Sequence, residues 1–466
     1  MKDGYGINTT MIDKANEDGI ELIITCDNGI SAAGEIEYAT SLGMSVIVTD
    51  HHEVPYEEED GKKRYIIPHA DAVIDPKRPD CDYPFEGICG AMVAYKLISY
   101  LYDNDPIGET VEDKKELMDE LLSFAAFATV GDIMELTDEN RIAVKRGLAL
   151  LSNTRNIGMR ALMEVKNLSG RAITAYHVGF VLGPCVNASG RLETADIALE
   201  LFECSNAEEA AAGARKLSEI NESRKNLTDA FAKKASNIVR EQYPDDRVLV
   251  VYIPECHESL AGIVAGRLKE EYYRPSIVLT DDLEGNIKGS GRSIEAYSMY
   301  DELAKVKDLF TKFGGHKMAA GLSMNAGSAD ELRQRLNENC TLADEDLIPK
   351  MMIDIPLPVG YVNESLVSEL DTLEPYGLSN PRPLFAQKDV PIRSITLSPK
   401  KNCLRLVLEG TDEAGRPVTR DAVLFDGAEE AYNEVSGRKS LSVLYQAGFN
   451  EYNGRRSVQL LIKDFF

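Results

Sequence analysis

The chain carries the stretch Met44-Ser-Val-Ile-Val-Thr-Asp-His-His52, in which an acid and two histidines follow an apolar run. The apolar run at residues 44–48 predicts a buried strand of a parallel sheet, because such strands are nearly continuous apolar runs. Asp50, His51 and His52 follow it directly, at the end of a strand where open α/β sheets bind ligands. Carboxylates and neutral imidazoles are suitable ligands for Mn²⁺ or Mg²⁺. The stretch therefore predicts a metal site at the edge of a sheet.

A second predicted strand, residues 21–25, supplies a companion acid. It leads into Asp27-Asn28-Gly29, and Ser31 then opens a stretch with a helical pattern. Taken alone, Asp-Asn-Gly favours a simple turn, and a histidine pair after a strand is more often structural than catalytic. The joint pattern of two strand ends, each carrying an acid, favours a metal site that handles phosphate.

A third acid, Asp132, lies in Ala128-Thr-Val-Gly-Asp-Ile-Met-Glu-Leu136, directly after a strongly apolar stretch. Taken alone, this residue is as well explained by a helix cap as by a metal ligand. With Asp27 and His51 it would form part of a shell for two ions roughly 3.5–4 Å apart, which activate water and stabilise a leaving oxygen.

Composition limits the class of protein. A chain of 466 residues is expected to hold roughly three domains. Its net charge of -26 excludes a basic signature over the whole chain. This negative charge is modest evidence against a protein that wraps long duplex DNA non-specifically. The eight cysteines are scattered without a Cys-x-x-Cys pair, which favours a reducing cytoplasm. Nothing resembles a signal peptide or membrane span, so we expect no membrane partner.

Strands and helices alternate over residues 20–205, which predicts an α/β domain with a doubly wound parallel sheet. We expect a strand at Ala72–Ile74, helices at 90–102 and 116–129, and an exposed loop at 57–63.

The sequence after residue 205 predicts three further structural parts: a long helix, a smaller α/β unit and a β-barrel. Residues 207–242 are rich in Ala, Glu, Lys and Arg and lack Pro, which predicts a long connecting helix. A smaller α/β unit begins at Arg247, with strands at 248–252 and 276–279. Short strands beyond residue 350 predict a small β-barrel of OB type; they lie at 392–397, 403–408, 441–448 and 457–462.

Two glycine-rich stretches of the smaller α/β unit are candidate phosphate sites. In Gly289-Ser-Gly-Arg-Ser293, Ser290 can donate and Arg292 offers a planar fork for phosphate oxygens. Common Gly/Ser turns offer a simpler explanation. Gly314-Gly-His316 is expected to open a helix and place backbone amides and His316 against a phosphate. The alternative is a tight turn with an exposed histidine.

Two further residues could face a substrate. Arg191 ends the polar stretch Asn187-Ala-Ser-Gly-Arg191, which we expect to be a turn. Its side chain could bind phosphate or form a salt bridge to Glu193 or Asp196. His257 precedes the stretch Gly262-Ile-Val-Ala-Gly-Arg267 and could face a cleft between domains.

Six motifs occur in the order found in the DHH phosphoesterase superfamily, and nearly the whole chain resembles its RecJ-type single-strand-specific exonucleases. The motifs are Thr25-Cys-Asp-Asn-Gly29, Thr49-Asp-His-His52, Thr129-Val-Gly-Asp132, Asn187-Ala-Ser-Gly-Arg-Leu192, Gly289-Ser-Gly-Arg-Ser293 and Gly314-Gly-His316. The resemblance implies a DHH domain at 1–205, a connecting helix at 206–243, a DHHA1 domain at 244–345 and an OB-fold at 350–466.

The resemblance also implies an activity, the 5′→3′ removal of nucleotides from single-stranded DNA with two Mn²⁺ or Mg²⁺ ions. Asp27 would bridge the ions, with His51 and Asp132 as terminal ligands. Asp50 would orient the motif or act as a ligand, and His52 would touch the scissile phosphate.

The implied substrate contacts lie in the later motifs. Ser290 and Arg292 would hold the 5′-phosphate end, while Arg191, His316 and His257 would line the nucleotide path. A single-strand-binding protein and a repair helicase are further candidate partners, in the cytoplasm.

The sequence departs from the family pattern at its start. RecJ-like chains carry an earlier Asp-x-Asp motif, whereas this sequence starts at Met1-Lys-Asp-Gly-Tyr-Gly-Ile-Asn8, which resembles a segment downstream of it. We therefore expect an N-terminally truncated chain that lacks the first strand or strands and is weakly active or inactive alone.

Two other functions stay open at this point. One is a phosphodiesterase of the same superfamily that acts on short oligonucleotides or cyclic dinucleotides, although such enzymes generally lack the barrel. The other is a non-catalytic nucleic-acid-binding remnant, which the missing Asp-x-Asp motif favours.

Overall fold

A computed structural model describes residues 6–59, 61–104, 111–282, 285–452 and 455–466. Contacts within the chain define two compact units. One comprises Met1–Thr154, Arg171–Gly179 and Met351–Phe466; the other comprises Arg155–Gly170 and Phe180–Lys350.

The strands described in the N-terminal part are β1 (Leu22–Ile24), β2 (Ser45–Thr49), β3 (Tyr56–Glu59), β4 (Lys62–Tyr65) and β5 (Ala72–Ile74). Strands β1, β2 and β5 form a parallel sheet in that order. Val46 and Val48 of the central strand are fully buried, and each contributes about 1.5–3 kcal/mol through the hydrophobic effect. The predicted parallel sheet is confirmed.

We expected residues 57–63 to form a loop. The described ones, 57–59 and 61–63, belong instead to the β3–β4 hairpin. The charged run supports pairing because it places opposite charges across the strands, as between Arg64 and Glu57 at 3.3 Å. The rings of Tyr56 and Tyr65 lie 5.9 Å apart, and Gly61 takes a positive φ of 73° at the turn. The predicted exposure is confirmed for residues 57–59 and 61–63.

The alternation of strands and helices ends at β5, and the named elements from there to residue 205 are helices. The helices of the first 205 residues are α1 (Thr9–Glu17), α2 (Ala33–Ser41), α3 (Gly90–Asn104), α4 (Val111–Gly131), α5 (Asp138–Leu151), α6 (Ile157–Val165), α7 (Ala175–His177), α8 (Gly183–Leu192) and α9 (Asp196–Glu203).

The predicted turn at Asn187–Arg191 is wrong, because these residues lie inside α8. Pro184 falls in the first turn of that helix, where proline is well tolerated. Cys185, Ala188 and Ser189 are buried, so burial of small side chains outweighs the turn preference of Asn, Ser and Gly.

The predicted long helix is confirmed as α10 (Ala207–Gln242). It begins at Asn206, whose side chain accepts from the backbone N–H groups of Glu208 and Glu209. Its buried positions recur at helical spacing; they include Ala210, Ala214, Leu217, Ile220 and Asn221.

A mixed five-stranded sheet follows α10, in the order β6-β7-β8-β10-β9. Strands β6 and β7 are parallel and the other pairs antiparallel. The elements are β6 (Leu249–Tyr252), α11 (Glu258–Tyr272), β7 (Ser276–Asp281), β8 (Ile287–Arg292), α12 (Met299–Ala304), β9 (Phe310–His316), β10 (Ala319–Met324) and α13 (Ala329–Glu338).

His316 does not open a helix as expected, because Gly314-Gly-His316 ends strand β9. Gly315 has a φ of 149° and packs so closely on the neighbouring strand that a methyl group there would lie 2.5 Å from Ala320 Cα. The glycine pair thus serves close strand packing. The other interpretation, a tight turn with an exposed histidine, is nearer to the structure, because His316 is exposed and a turn follows it at residues 317–318.

The C-terminal strands form a barrel that is closed by pairing of β12 with β15. The strands are longer than predicted, because β-bulges at Ile392/Ser394 and Leu444/Tyr445 interrupt the alternating pattern. The elements are β11 (Ile355–Pro356), α14 (Glu364–Asp371), β12 (Phe385–Leu397), β13 (Leu404–Thr411), β14 (Pro417–Leu424), α15 (Ala428–Val435), β15 (Ser440–Tyr452) and β16 (Arg455–Phe465).

A helix that spans a lipid bilayer needs about 20 predominantly apolar residues. Within the described ranges, every helix is either too short or too polar to span one.

Candidate active site

The ends of β1 and β2 are joined by threonines that fix the loop carrying Asp27. Thr49 Oγ1 donates to the Thr25 carbonyl at 2.6 Å, and Thr25 Oγ1 donates to the Asn28 carbonyl at 2.7 Å. Asp27 has a left-handed φ of 64°, which aspartate tolerates better than most residues. Because of this conformation the chain changes direction directly after β1, and the Asp27 carboxylate stays at the edge of the sheet.

Three predicted ligands meet at this edge. His51 Nε2 lies 3.0 Å from Asp27 Oδ1 and 3.5 Å from Asp132 Oδ2. Asp132 reaches the cluster from the residue after α4. One ligand atom each of Asp27, His51 and His52 lie within 4.8 Å of one another. The sequence separations of these residues are large, so the contacts come from the fold.

The cluster fits a divalent cation. Asp27 Oδ1 is buried and makes no hydrogen bond, although His51 Nε2 is 3.0 Å away. Two atoms that converge without hydrogen-bond alignment can both face a common ion. Carboxylate and imidazole ligands suit Mn²⁺ and Mg²⁺, so Asp27, His51 and Asp132 are the residues that would hold such an ion.

Electrostatics at the cluster agree with this chemistry. The Asp27 carboxylate raises the pKa of His51, against the opposing effect of burial. Burial raises the pKa of Asp132, and the nearby Asp27 charge adds to the shift. The carboxylates thus repel one another and are stabilised by a positive charge between them.

Asp50 is held differently from the other acids. Its Oδ1 accepts from the backbone N–H groups of His51 at 2.8 Å and His52 at 3.3 Å, and its Oδ2 accepts from Ile30 N–H at 2.9 Å. Burial works to raise the pKa of Asp50, but these bonds and the His52 contact outweigh it and the pKa is lowered. The carboxylate is therefore occupied by donors of the chain itself.

His52 is oriented by the same carboxylate. Its Nδ1 lies 2.6 Å from Asp50 Oδ1, and about half of its side chain is exposed. With Nδ1 engaged, Nε2 is the ring nitrogen that can face a substrate.

Sequence analysis did not single out Asp75 as a site residue. It follows β5 directly and lies opposite Asp50 in the continued register of β2 and β5. Its side chain is buried, and Oδ2 makes no hydrogen bond. Burial raises its pKa, and the Asp50 charge adds to this effect. The rule that found Asp27 and Asp50, an acid directly after a strand, would also have found this residue.

The second compact unit brings together the predicted phosphate-binding residues. On β8, Arg292 Nη1 donates to Ser290 Oγ at 3.2 Å. A methyl group on Gly262 of α11 would lie 2.8 Å from both Ser290 Oγ and Arg292 Nη2. His316 lies in the same row of the sheet, because Ala319 pairs with His316 on one side and with Arg292 on the other.

Arg191 makes neither of the salt bridges considered for it. It donates to the Ser259 carbonyl at 3.0 Å, while Glu193 pairs with Lys216 at 2.6 Å. The Ser259 hydroxyl returns a bond to the Arg191 carbonyl at 2.9 Å. His257 caps α11 and lies 2.7 Å from Ser259 Oγ through Nδ1. Arg191 and His257 are thereby brought together at the start of α11.

Aromatic side chains of an OB barrel can serve as platforms on which bases of a single strand stack. Tyr445 cannot serve, because it is fully buried and donates to the Leu357 carbonyl at 2.7 Å. Phe449 is half-buried, with the Arg456 guanidinium 3.5 Å from its ring centre. The side chain of Tyr452 lies outside the described residues.

Comparison with known families agrees with the three parts of the fold. Residues 4–129 match the DHH family N-terminal domain, residues 245–341 match the DHHA1 domain, and residues 353–464 match the RecJ OB domain. These matches define the class: a DHH-family protein with a DHHA1 domain and an OB domain.

Individual relatives narrow the class. The chain is 33% identical to the single-stranded-DNA-specific exonuclease RecJ of Bacillus subtilis, over 100% of this chain and 56% of the relative. It is 35% identical to the RecJ of Escherichia coli, over 83% of this chain and 68% of that protein. The chain belongs to the RecJ family.

A solved structure supports this placement. The RecJ of Thermus thermophilus in complex with Mn²⁺ superposes with a TM-score of 0.79 and 26% identity, over 99% of this chain and 64% of that chain. The chain thus spans little more than half the length of the Bacillus relative and about two thirds of the other two.

Proposed function

We propose that the chain is a single-stranded-DNA-specific 5′→3′ exonuclease that hydrolyses phosphodiester bonds with Mn²⁺ or Mg²⁺. The convergence of Asp27 and Asp132 on His51 Nε2 carries this proposal. The names of the relatives, and the Mn²⁺ complex of the Thermus protein, support the substrate and the ion.

The acids and His51 have distinct roles in this proposal. Two bound divalent ions would supply an activated water and neutralise the leaving oxygen. Asp27 would bridge the two ions, and His51 and Asp132 would be terminal ligands. Asp50 is a positioning residue rather than a ligand, because its oxygens already accept bonds from Ile30, His51 and His52.

The remaining residues would hold the strand. His52 would contact the scissile phosphate through Nε2, since Nδ1 is engaged by Asp50. Ser290 and Arg292 would bind the 5′-phosphate, because a hydroxyl and a guanidinium that share a hydrogen bond present several donors to one anion. The other candidate contacts along the strand are Arg191, His257 and His316.

The wider assignment follows from the same reasoning. Residues 1–205 would form the catalytic DHH domain and 206–243 the connecting helix, followed by the DHHA1 domain at 244–345 and the OB-fold at 350–466. Single-stranded DNA would be the main partner, with a single-strand-binding protein and a repair helicase as further partners. The eight free cysteines favour the cytoplasm.

A nuclease assay with strands labelled at either end tests the proposal. In Mn²⁺, we expect label to be released first from the 5′ end of single-stranded DNA, with duplex DNA resistant and with Asp27→Asn inactive. Slow release that meets these conditions still supports the proposal. Release that starts at the 3′ end, or that Asp27→Asn leaves unchanged, contradicts it. Absence of both Mn²⁺ binding and release would favour a non-catalytic DNA-binding protein.

A further inference from the structure

Arg224 is a cation that neither the sequence motifs nor the proposed function uses. It lies on α10 with a half-buried side chain. Its Nε donates to Asn221 Oδ1 at 3.1 Å, and the buried Asn221 Nδ2 contacts Cys185 Sγ of α8 at 3.4 Å. The guanidinium is therefore held by a defined contact on the side of α10 that packs against α8.

Helix α8 also connects this region to α11. Arg191, near the end of α8, exchanges two hydrogen bonds with Ser259 at the start of α11. Gly262, one turn further along α11, packs directly on Ser290 and Arg292. A continuous set of contacts thus leads from Arg224 through α8 and α11 to the predicted 5′-phosphate site.

The positive charge of Arg191 acts on two other guanidinium groups of this region, those of Arg224 and Arg292. Burial lowers the pKa of Arg224, and the charge of Arg191 lowers it further. The same two causes, in the same order, lower the pKa of Arg292. Arg78, Arg333 and Arg335, which pair with carboxylates, have raised pKa values instead. The fold therefore keeps the side chains of Arg224 and Arg292 close to that of Arg191, although their positive charges repel one another.

In the part of the chain that the structure describes, this repulsion is not relieved by a carboxylate at ion-pair distance. Among the residues that the structure describes, no carboxylate oxygen lies within 4.0 Å of the guanidinium nitrogens of Arg191, Arg224 or Arg292, whereas the neighbouring Arg267 contacts Asp229 at 3.7 Å. The chain has 77 acidic residues against 51 basic ones, so acids to pair with these arginines are plentiful. Asp229 acts on Arg224 only from beyond that distance. Arg224 and Arg292 are half-buried and Arg191 is exposed, and clustered cations without a carboxylate at ion-pair distance are the electrostatic form of an anion site.

We propose that Arg224 and Arg191 form a second phosphate subsite, which binds a phosphate of the same strand next to the one held by Ser290 and Arg292. This inference rests on the proposed function and deepens it. A site with two phosphate positions selects a polynucleotide over a mononucleotide, because only a polynucleotide fills both. Arg224 would therefore contribute to substrate length selection.

Binding measurements test the subsite without interference from cleavage. Asp27→Asn serves as the parent, and the probes are a 5′-phosphorylated oligothymidylate of about ten nucleotides, within the usual range of single-strand sites, and thymidine 5′-monophosphate. Adding Arg224→Gln should raise the Kd for the oligonucleotide about tenfold and reduce the salt slope by about 0.7, the value for one phosphate contact on a single strand. The Kd for the mononucleotide should not change.

Two further variants keep the test specific. Arg224→Lys retains the charge and should retain most of the salt slope. Arg240→Gln removes an exposed arginine of the same helix and should leave both Kd values unchanged. In thermal unfolding, Arg224→Gln should be as stable as its parent, because the substitution removes repulsion as well as one hydrogen bond.

The outcomes separate this inference from the function on which it rests. If the parent binds the oligonucleotide and Arg224→Gln binds it with the same Kd and salt slope, the second subsite is wrong and the proposed function stands. Equal weakening of oligonucleotide and mononucleotide binding would also overturn the subsite. If the parent binds no single-stranded DNA at low salt, the proposed function fails and the subsite fails with it.

Discussion

Gly90 and Asp27 are in direct contact, so close that a methyl group on Gly90 would lie 2.6 Å from Asp27 Cβ and 2.7 Å from its Cα. Gly90 is the first residue of α3, so the start of this helix packs on the backbone that presents the central carboxylate. Real Cβ atoms do not approach other atoms this closely, and Asp27 or α3 must move if the glycine is replaced.

The first prediction concerns this contact. Gly90→Ala should weaken Mn²⁺ binding by about 10–100-fold, the usual effect of losing a residue that orients a ligand. Isothermal titration calorimetry with Mn²⁺ measures it. The control is Gly34→Ala in α2, where no atom lies within 4 Å of the added methyl group. Equal affinities for the two variants would show that the position of Asp27 does not depend on Gly90.

The second prediction separates ligands from positioning residues. Asp50→Asn should lower both Mn²⁺ affinity and stability, the latter by about 2 kcal/mol, because N–H donors that now bond a buried carboxylate would lose an acceptor. Asp132→Asn should lower Mn²⁺ affinity alone, because Asp132 is half-exposed and burial disfavours its charge. Chemical denaturation and calorimetry measure the two effects. Equal loss of stability in both variants would contradict these roles.

The third prediction concerns Ile133, which lies two residues after the end of α4 in a left-handed conformation with φ 56°. Its N–H bonds to the Val130 carbonyl and the Met134 N–H bonds to the Thr129 carbonyl, the arrangement in which glycine is usual. Ile133→Gly should therefore stabilise the fold by about 1 kcal/mol.

Ile142 provides the matched control, because it is 70% exposed, as Ile133 is 71% exposed, but lies inside helix α5. Ile142→Gly should destabilise by about 0.5 kcal/mol. Urea unfolding measures both variants. A destabilised Ile133→Gly would mean that the isoleucine side chain makes contacts that outweigh the backbone strain.

The fourth prediction concerns pH and the contact of Glu139 with Lys96 and Tyr83. Burial opposes charge on Glu139, but Lys96 and Tyr83 outweigh it and lower its pKa below the usual 4.5. Burial also opposes charge on Lys96, but Glu139 raises its pKa above the usual 10.5. A lowered acid pKa stabilises the fold above the unfolded value, and a raised lysine pKa stabilises it below the unfolded value.

The stabilisation should therefore be complete between about pH 4.5 and 10.5 and decline outside that window. Unfolding of the protein and of Glu139→Gln across pH measures it. The difference in unfolding free energy should be constant inside the window and should shrink as the solution is acidified below it. If the difference in unfolding free energy grew on acidification, the pKa of Glu139 would be raised in the folded protein and the prediction would be wrong.

Much of the metal cluster could be predicted from the sequence, because acids that directly follow parallel strands share one edge of the sheet. This rule predicts that Asp27 and His51 lie close together. Asp75 obeys it too, yet the Asp-Pro pair after a strand is also ordinary turn chemistry, so the residue did not stand out. The long connecting helix was predictable for a different reason: residues 207–242 contain no proline that would end a helix within the run.

Other features depend on contacts that no local pattern encodes. Asn187–Arg191 is helical because its small residues are buried against neighbouring elements, although its composition is that of a turn. The barrel strands exceed their predicted lengths because bulges break the alternation. Arg224 lacks a motif and gains its significance only from the packing that places it near Arg191.

The most direct test of the metal cluster is anomalous X-ray diffraction from crystals soaked in Mn²⁺, recorded near the manganese absorption edge. We predict a peak within bonding distance, roughly 2.1 Å, of Asp27 Oδ1 and His51 Nε2, with Asp132 as a further ligand and Asp50 still bonded to Ile30 N–H. An occupied Mn²⁺ site elsewhere, with His51 and Asp27 unligated at saturating Mn²⁺, would contradict the account.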